Sequence, residues 1–243
     1  MMTEEVRAMK YTFRTLWFMI KAFLAYRKVL KRSKDLPDKE RWQAGYKYVR
    51  EYCPKLMERT GSRIIYYGLE KLPEQSGVLY VGNHQSLFDI VVILSVMEYP
   101  TAFLNKKELE KVPLVGGLAR LLGCMYIDRG DLRQSVTAIR TTSERMKQGL
   151  NMVIFPEGTR SKDGTIAEFK KGSFKAATNI GAPIVPIRIS REIRDILENN
   201  KGLHIIPQEV HVYFGDPIDV KSMDKKEQKE LAEKVQQIVS ELN

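Results

Sequence analysis

Residue types suited to proton transfer and anion binding gather in four short stretches of this 243-residue chain. They are GVLYVGNHQSLFD (77–89), GCMYIDRG (123–130), MVIFPEGTRSKDG (152–164) and PIVPIRISRE (183–192). Each is an apolar run followed by a polar or glycine-containing turn. In the first, His84 follows the run and Asp89 lies five residues on. A carboxylate bonded to one imidazole nitrogen leaves the other free to act as a general base. Five helical residues rotate by ~500°, so the two side chains would not share a face if both were helical. The workable arrangement puts His84 in a turn and Asp89 in the first turn of a helix. The same stretch also looks like a capping box, Ser86-Leu87-Phe88-Asp89, in which Asp89 would only cap that helix.

The third stretch suits phosphate. Gly158 can expose backbone N–H groups, and the Arg160 guanidinium is a planar fork that matches phosphate oxygens. Glu157 and Thr159 add hydrogen-bonding groups. Lys106 and Lys107 follow the apolar run 101–104, and Arg129 follows another. Blander readings stand beside these: an ordinary surface turn at 157–160, a solvated helix start at Lys107, and a surface ion pair at Arg129. The chain has no G-x-S-x-G elbow, which argues against a serine hydrolase. Cys53 and Cys124 are far apart and offer neither a disulfide framework nor zinc spacing, so no metal is expected and a reduced, cytosolic setting is the default.

Apolar runs at 62–67, 77–82, 101–104, 124–128, 151–155, 183–189 and 209–214 read as strands. Helical patterns lie between them at 87–98, 113–121, 132–148 and 172–179, with a last one at 224–241. Alternation of this kind predicts an α/β fold with a mixed, mostly parallel central sheet flanked by helices. In open sheets of this class, ligands bind beyond the carboxyl ends of the strands. Parallel strands would bring all four turns to one edge.

Two further helices are expected at 4–34 and 38–59, with Pro37 at the break and Pro54 kinking or ending the second. They divide the chain into an N-terminal two-helix motif, 1–60, and an α/β domain, 61–243. The net charge is +10, and residues 1–60 hold 15 Lys+Arg against 7 Asp+Glu, so that segment carries +8 of it. Arg14, Lys21 and Lys28 recur every seven residues and form one helical stripe. Beside them lies a broad apolar stripe of Phe13, Leu16, Trp17, Phe18, Ile20, Phe23 and Leu24. No uncharged run approaches the ~20 residues a spanning helix needs. This combination predicts a helix lying in the interface of an anionic membrane. Nucleic acid fits less well, because a large apolar face offers phosphates nothing. On the second helix Trp42, Tyr46, Val49 and Cys53 share one face. The acidic start, Met-Met-Thr-Glu-Glu-Val, does not read as a secretory signal.

Taken together, the four stretches resemble the motifs of the glycerolipid acyltransferases. NHQSLFD matches their NHxxxxD motif, GCMYIDR the second, FPEGTRS the third and IVPI the fourth. The likeness covers about 60–215, and the N-terminal helix pair resembles the membrane-docking motif of the bacterial 1-acyl-sn-glycerol-3-phosphate acyltransferases. The resemblance implies that His84 and Asp89 form a catalytic dyad. It implies that Arg129, Glu157, Gly158, Thr159 and Arg160 shape an acceptor-phosphate site, with Lys106 beside it, and that Pro186 and its neighbours support the site and an acyl channel. The implied reaction moves an acyl chain from acyl-ACP or acyl-CoA to the 2-hydroxyl of 1-acylglycerol 3-phosphate, giving phosphatidic acid. It needs no metal or organic cofactor, because the thioester is already activated. The implied place is the cytoplasmic face of the cell membrane, as a monotopic or peripheral protein. Related alternatives are acylation of glycerol 3-phosphate or of another lysophospholipid. A non-enzymatic basic membrane-binding module is disfavoured, because 61–243 carries only +2. Ser86 is the nearest hydroxyl to His84 and so the one competing nucleophile.

Overall fold

The computed structural model describes residues 3–112, 115–128, 130–200, 202 and 204–243. Two long helices open the chain, α1 (Glu4–Arg32) and α2 (Asp38–Thr60). The strands follow: β1 (Arg63–Tyr67), β2 (Leu79–Gly82), β3 (Thr101–Lys106), β4 (Met125–Ile127), β5 (Asn151–Ile154), β6 (Ile184–Ile189) and β7 (Glu209–Phe214). Between and after them lie α3 (Phe88–Leu94), α4 (Val115–Leu122), α5 (Leu132–Lys147), α6 (Lys175–Thr178) and α7 (Lys225–Glu241). The sheet order is β1-β7-β6-β2-β5-β3-β4. The run β6-β2-β5-β3-β4 is parallel throughout, β7 is antiparallel to β6, and β1 is parallel to β7. The expected mixed, mostly parallel sheet is therefore present.

Side-chain chemistry accounts for the boundaries. Strands β2 and β5 are buried at every position, and their sequences LYVG and NMVI are correspondingly uninterrupted by charge. Asp224 accepts the N–H of Lys226 and Glu227 while the Glu227 carboxylate accepts the Asp224 N–H, a complete capping box that starts α7. Asp131 caps α5 by accepting the Gln134 N–H at 3.1 Å. Gly61, in the left-handed region at φ 78°, ends α2.

Helix α2 runs through Pro54 to Thr60, matching the expected span 38–59 to within a residue; of the two effects expected of the proline, ending the helix does not occur, and Met57 and Thr60 beyond it are buried. Three expectations need correction. The helix expected over 87–98 stops at Leu94, and that over 172–179 is a 3-10 turn (171–174) followed by the single turn α6. Phe18 does not join the outward stripe of α1 but packs on Tyr52 of α2, ring centroids 5.9 Å apart. Strand and helix positions otherwise agree with the sequence reading to within a few residues.

Helix α2 is more than an appendage. Trp42, Val49 and Met57 belong to the main apolar core, and α2 packs on both α3 and α4. Helix α1 packs on α2 through Thr15, Phe18 and Tyr26, and its opposite face is bare: Phe13, Leu16, Trp17, Ile20 and Leu24 are all more than half exposed. Among the described residues no helix is long and apolar enough to cross a membrane.

The seam between α2 and the sheet is tight at Gly123. This residue sits at φ 81°, and a Cβ there would lie 2.5 Å from Trp42 Nε1 and 3.0 Å from Leu150 Cδ2. Arg145 fixes the seam by donating to the Gly123 carbonyl at 2.6 Å while its guanidinium covers the Trp42 ring. Gly123→Ala should cost about 2 kcal/mol or more, from strain at positive φ plus overpacking. Gly172→Ala, where a new Cβ meets nothing within 4 Å, should stay within about 0.5 kcal/mol of the parent. Urea unfolding of the two variants checks both figures.

Candidate active site

The parallel run places the ends of β2, β5, β3 and β4 on one edge of the sheet, so the turns after them meet there. Residue His84 lies two positions past β2, and Asp89 is the second residue of α3. The His84 Nδ1 is 2.7 Å from Asp89 Oδ2. The same oxygen accepts the N–H of Gln85 at 2.6 Å and of Ser86 at 2.8 Å. Asp89 is fully buried, and its other oxygen, Oδ1, has no hydrogen-bond partner. Asp89 therefore folds the 85–86 turn back on itself and also faces the imidazole, while the N-cap of α3 is Leu87, with no side-chain cap. A buried carboxylate facing Nδ1 selects the tautomer with its proton on Nδ1, which leaves the Nε2 lone pair outward.

The His84 ring lies flat on Phe155, centroids 4.2 Å apart and planes inclined by 9°. Its backbone is held from both sides. The His84 N–H donates to Glu157 Oε1 at 2.7 Å, and its carbonyl accepts the Ser161 N–H at 2.8 Å. Asn83 exchanges two hydrogen bonds of 2.9 Å with the backbone of Ile189, and Gln85 donates to the same carbonyl at 2.8 Å. The end of β2 is thereby bolted to the end of β6.

The residues singled out in 157–160 take different positions. Glu157 is buried, and its second oxygen accepts the Ala167 N–H at 3.0 Å. Its carboxylate is occupied by the protein's own backbone and supports the turn from beneath. Gly158 sits at φ 81°, which favours glycine, but its N–H is not exposed for an anion: it donates to the Phe155 carbonyl at 3.1 Å. Thr159 is exposed. Arg160 is half exposed, with Nη1 3.6 Å from Glu198 Oε1.

Lys106 is exposed at the end of β3, opposite Ile127 in the register. Strand β3 stands two strands from β2, about 10 Å at the usual spacing. Lys107 is tied to Asp128 and Gln134 at 3.3 and 2.9 Å, the surface role that its blander reading gave it. Arg129 lies outside the described residues. Pro186 is interior to β6 and paired in register with Val81.

A cavity of about 640 Å³ adjoins the site, within the range of small-molecule pockets. Phe155 joins the two, since it stacks on His84 and also lines the cavity. Leu104, Ile127, Ile154, Val136 and Ile139 supply most of its apolar wall, and Arg140, Lys170 and Lys175 its cationic groups. Pro186 is not among the residues that line the cavity.

The remaining nucleophile types are disposed of by position. Ser86 is fully buried, and its hydroxyl is engaged by Glu198 and by the Phe88 N–H. Cys53 and Cys124 are each pushed up to about 12 by burial, which keeps them as thiols. Among the described residues no cluster of His, Cys, Asp or Glu could hold a metal ion.

A family profile described as Acyltransferase matches residues 63–190, more than half of the chain and all four motif turns. This chain belongs to the acyltransferase family. The crystal structure of PlsC, the 1-acyl-sn-glycerophosphate (LPA) acyltransferase of Thermotoga maritima, matches with a TM-score of 0.77 at 30% identity, over 98% of this chain and 95% of that one. The 1-acyl-sn-glycerol-3-phosphate acyltransferase of Borreliella burgdorferi is 30% identical over 187 residues, 75% of this chain and 73% of that protein. The chloroplastic 1-acyl-sn-glycerol-3-phosphate acyltransferase BAT2 of Brassica napus is 39% identical over 123 residues, 50% of this chain. The match spans only about a third, 36%, of the length of that plant relative.

Asn83, Gln85, Phe155 and Glu198 also belong to this candidate site and were not singled out from the sequence. The first three stand inside the motif stretches. Glu198 stands in none, and nothing in its neighbourhood, EIRDILENN (192–200), marks it.

Burial raises the Glu157 carboxyl above the ordinary glutamate value, and the two amide N–H groups offset part of that rise. The folded state therefore keeps this proton to higher pH than the unfolded chain does. Its contribution to stability is present below the unfolded value and is lost as pH rises through the folded one. Glu157→Gln removes that titration. It also turns an amide N–H toward the Ala167 N–H, which lowers stability at every pH by about 1–3 kcal/mol. Urea midpoints from pH 4 upward should therefore converge, with the wild type losing the larger share of its stability. Parallel curves would reject this account of Glu157.

Proposed function

We propose that the chain transfers an acyl group from a thioester, acyl-ACP or acyl-CoA, to the free 2-hydroxyl of 1-acylglycerol 3-phosphate, with phosphatidic acid as product. The observation that carries this reading is His84: Nδ1 is fixed by a buried carboxylate, Nε2 has no hydrogen-bond partner among the described residues, and the ring shares Phe155 with an apolar cavity. The printed names of the relatives support this choice of acceptor.

His84 Nε2 removes the proton of the 2-hydroxyl as its oxygen attacks the thioester carbonyl. The C–O bond forms, the C–S bond breaks, and the imidazolium returns its proton to the departing thiolate. Asp89 keeps the proton on Nδ1 and stabilises the transient imidazolium. Arg160 receives the acceptor phosphate, with Lys106 as a further cationic group on the same edge. Glu157 and Gly158 shape the turn that presents Arg160. The acyl chain of the donor fits the cavity beyond Phe155. No acyl-enzyme forms, because Ser86 is buried and its hydroxyl is occupied.

His84→Ala should lower kcat by at least about 100-fold without unfolding the protein. Asp89→Asn separates two effects. All three donors fall on one oxygen of Asp89, so an amide oxygen can replace it and hold the turn, while the charge facing the imidazolium is lost. Its kcat should fall on the order of 100-fold with little change in Tm, whereas Asp89→Ala should also lose about 1–3 kcal/mol for each buried N–H left unpaired. Arg160→Lys keeps the charge and loses the fork. Its KM for the phosphorylated acceptor should rise while the donor KM holds. A stoichiometric radiolabel from the donor alone that survives denaturation, and vanishes in Ser86→Ala, would overturn direct attack.

The bare face of α1 is assigned to an anionic membrane. Phe13 is 70% exposed, and Arg14, Lys21 and Lys28 run alongside the apolar row. Because α2 belongs to the core, the test keeps the full chain: Phe13→Ser, Trp17→Ser and Ile20→Ser combined. The triple variant should lose most sedimentation with anionic vesicles while keeping its Tm. Binding of the parent should weaken with salt, since each basic residue near such a surface contributes ~1 kcal/mol. Undiminished sedimentation of a folded triple variant would sink the assignment.

A further inference from the structure

We propose that Glu198 is the positioning residue for Arg160: its carboxylate ties the phosphate-binding guanidinium to the turn that carries His84, so that an acceptor gripped at one is in register with the other. This rests on the reading of Arg160 given above and adds to it a residue outside all four motifs.

Glu198 follows the 3-10 segment Arg191–Ile196, 112 residues along the chain from Ser86. It reaches back into the His84–Asp89 turn with both oxygens. Oε1 accepts the Ser86 hydroxyl at 2.9 Å and the Leu87 N–H at 2.8 Å, and Oε2 lies 2.8 Å from the same hydroxyl. Ser86 is itself fixed, since its Oγ accepts the Phe88 N–H at 3.0 Å and its N–H is held by Asp89. The carboxylate is therefore anchored on the turn, with its side chain only 17% exposed.

Arg160 is the more exposed partner, with its side chain 45% exposed. Its backbone neighbour Ser161 already donates to the His84 carbonyl. Glu198 supplies a second tether at the far end of the side chain, 3.6 Å from Nη1. Both ends of Arg160 are thus referenced to residues 84–87. A half-exposed ion pair contributes little to stability, so the consequence of this contact is orientation. An arginine held in one direction loses less freedom when phosphate binds than one that swings.

Glu198→Gln isolates this role. The amide oxygen still accepts the Leu87 N–H and the Ser86 hydroxyl, and only the charge facing Arg160 is removed. The KM for 1-acylglycerol 3-phosphate should rise on the order of tenfold, as expected when a free guanidinium must be ordered on binding, with kcat and the donor KM within about twofold. Inorganic phosphate, as a competitive inhibitor, should weaken in parallel. Combining Glu198→Gln with Arg160→Lys should add nothing to Arg160→Lys alone. Glu198→Asp, which keeps the charge on a shorter arm, should restore part of the loss, and it carries the test if the glutamine variant fails to fold. A Glu198→Gln enzyme with unchanged acceptor KM, or with donor and acceptor KM raised equally, would overturn the proposal, as would additivity in the double variant. If Arg160→Lys shows an acceptor-selective loss in that case, the Arg160 reading survives alone. If Arg160→Lys raises neither KM selectively, both fall together.

Discussion

Oδ2 of Asp89 receives three donors, from His84 Nδ1, the Gln85 N–H and the Ser86 N–H, all within 2.8 Å. This oxygen is the point on which the site turns. Two of the donors are backbone groups, so the carboxylate bends the chain between β2 and α3 before it orients any side chain. The third is the imidazole, which therefore inherits its position from the fold of the turn. Removing a charge from water this completely is costly unless it is compensated by hydrogen bonds. Here the compensation comes from the residues that the charge positions, which makes the turn and the His84 orientation one cooperative unit.

That unit is held from outside by groups of the same kind. Asn83 and Gln85 bind the backbone of Ile189, Glu157 binds the backbone of His84 and Ala167, and Glu198 binds the backbone of Leu87. Polar side chains that look like reagents in the sequence serve largely as backbone acceptors and donors. Buried polar groups must be satisfied, and a turn between a parallel strand and a short helix has many unpaired backbone groups to offer. Among the described residues singled out above, those left facing outward are His84 at Nε2, Thr159, Arg160 and Lys106.

This division explains what could be read from the sequence. The strands were legible because buried parallel strands are uninterrupted apolar runs, as LYVG and NMVI are. The His84–Asp89 pair was legible because the spacing admits only a turn followed by a helix start. The inward use of Glu157 and of the Gly158 N–H was not, since composition alone does not tell a carboxylate facing a ligand from one facing a neighbouring amide. Pro54 was read as kinking or ending its helix on local grounds, and burial of Met57 and Thr60 outweighs the one hydrogen bond a proline removes. Glu198 was invisible for a different reason. Its partners Ser86 and Leu87 are more than a hundred residues away, and no local periodicity reports a contact of that range.

Parallel order also separates chemistry from shape. The His84 network draws on the ends of β2, β5 and β6, whereas the cavity wall draws mainly on β3, β4 and α5, with Ile154 and the 155–158 turn beside them. Phe155 belongs to both, with one ring face on the imidazole. None of Leu104, Ile127, Val136 or Ile139 hydrogen-bonds through its side chain, so their sizes can change the volume of the cavity without altering the charges or donors around His84. Phe155 has no such freedom, because a smaller side chain there would open the cavity and unseat the imidazole together. A fold of this order can hold one reaction fixed while its apolar wall is reshaped, and the ring of Phe155 marks the boundary between the two.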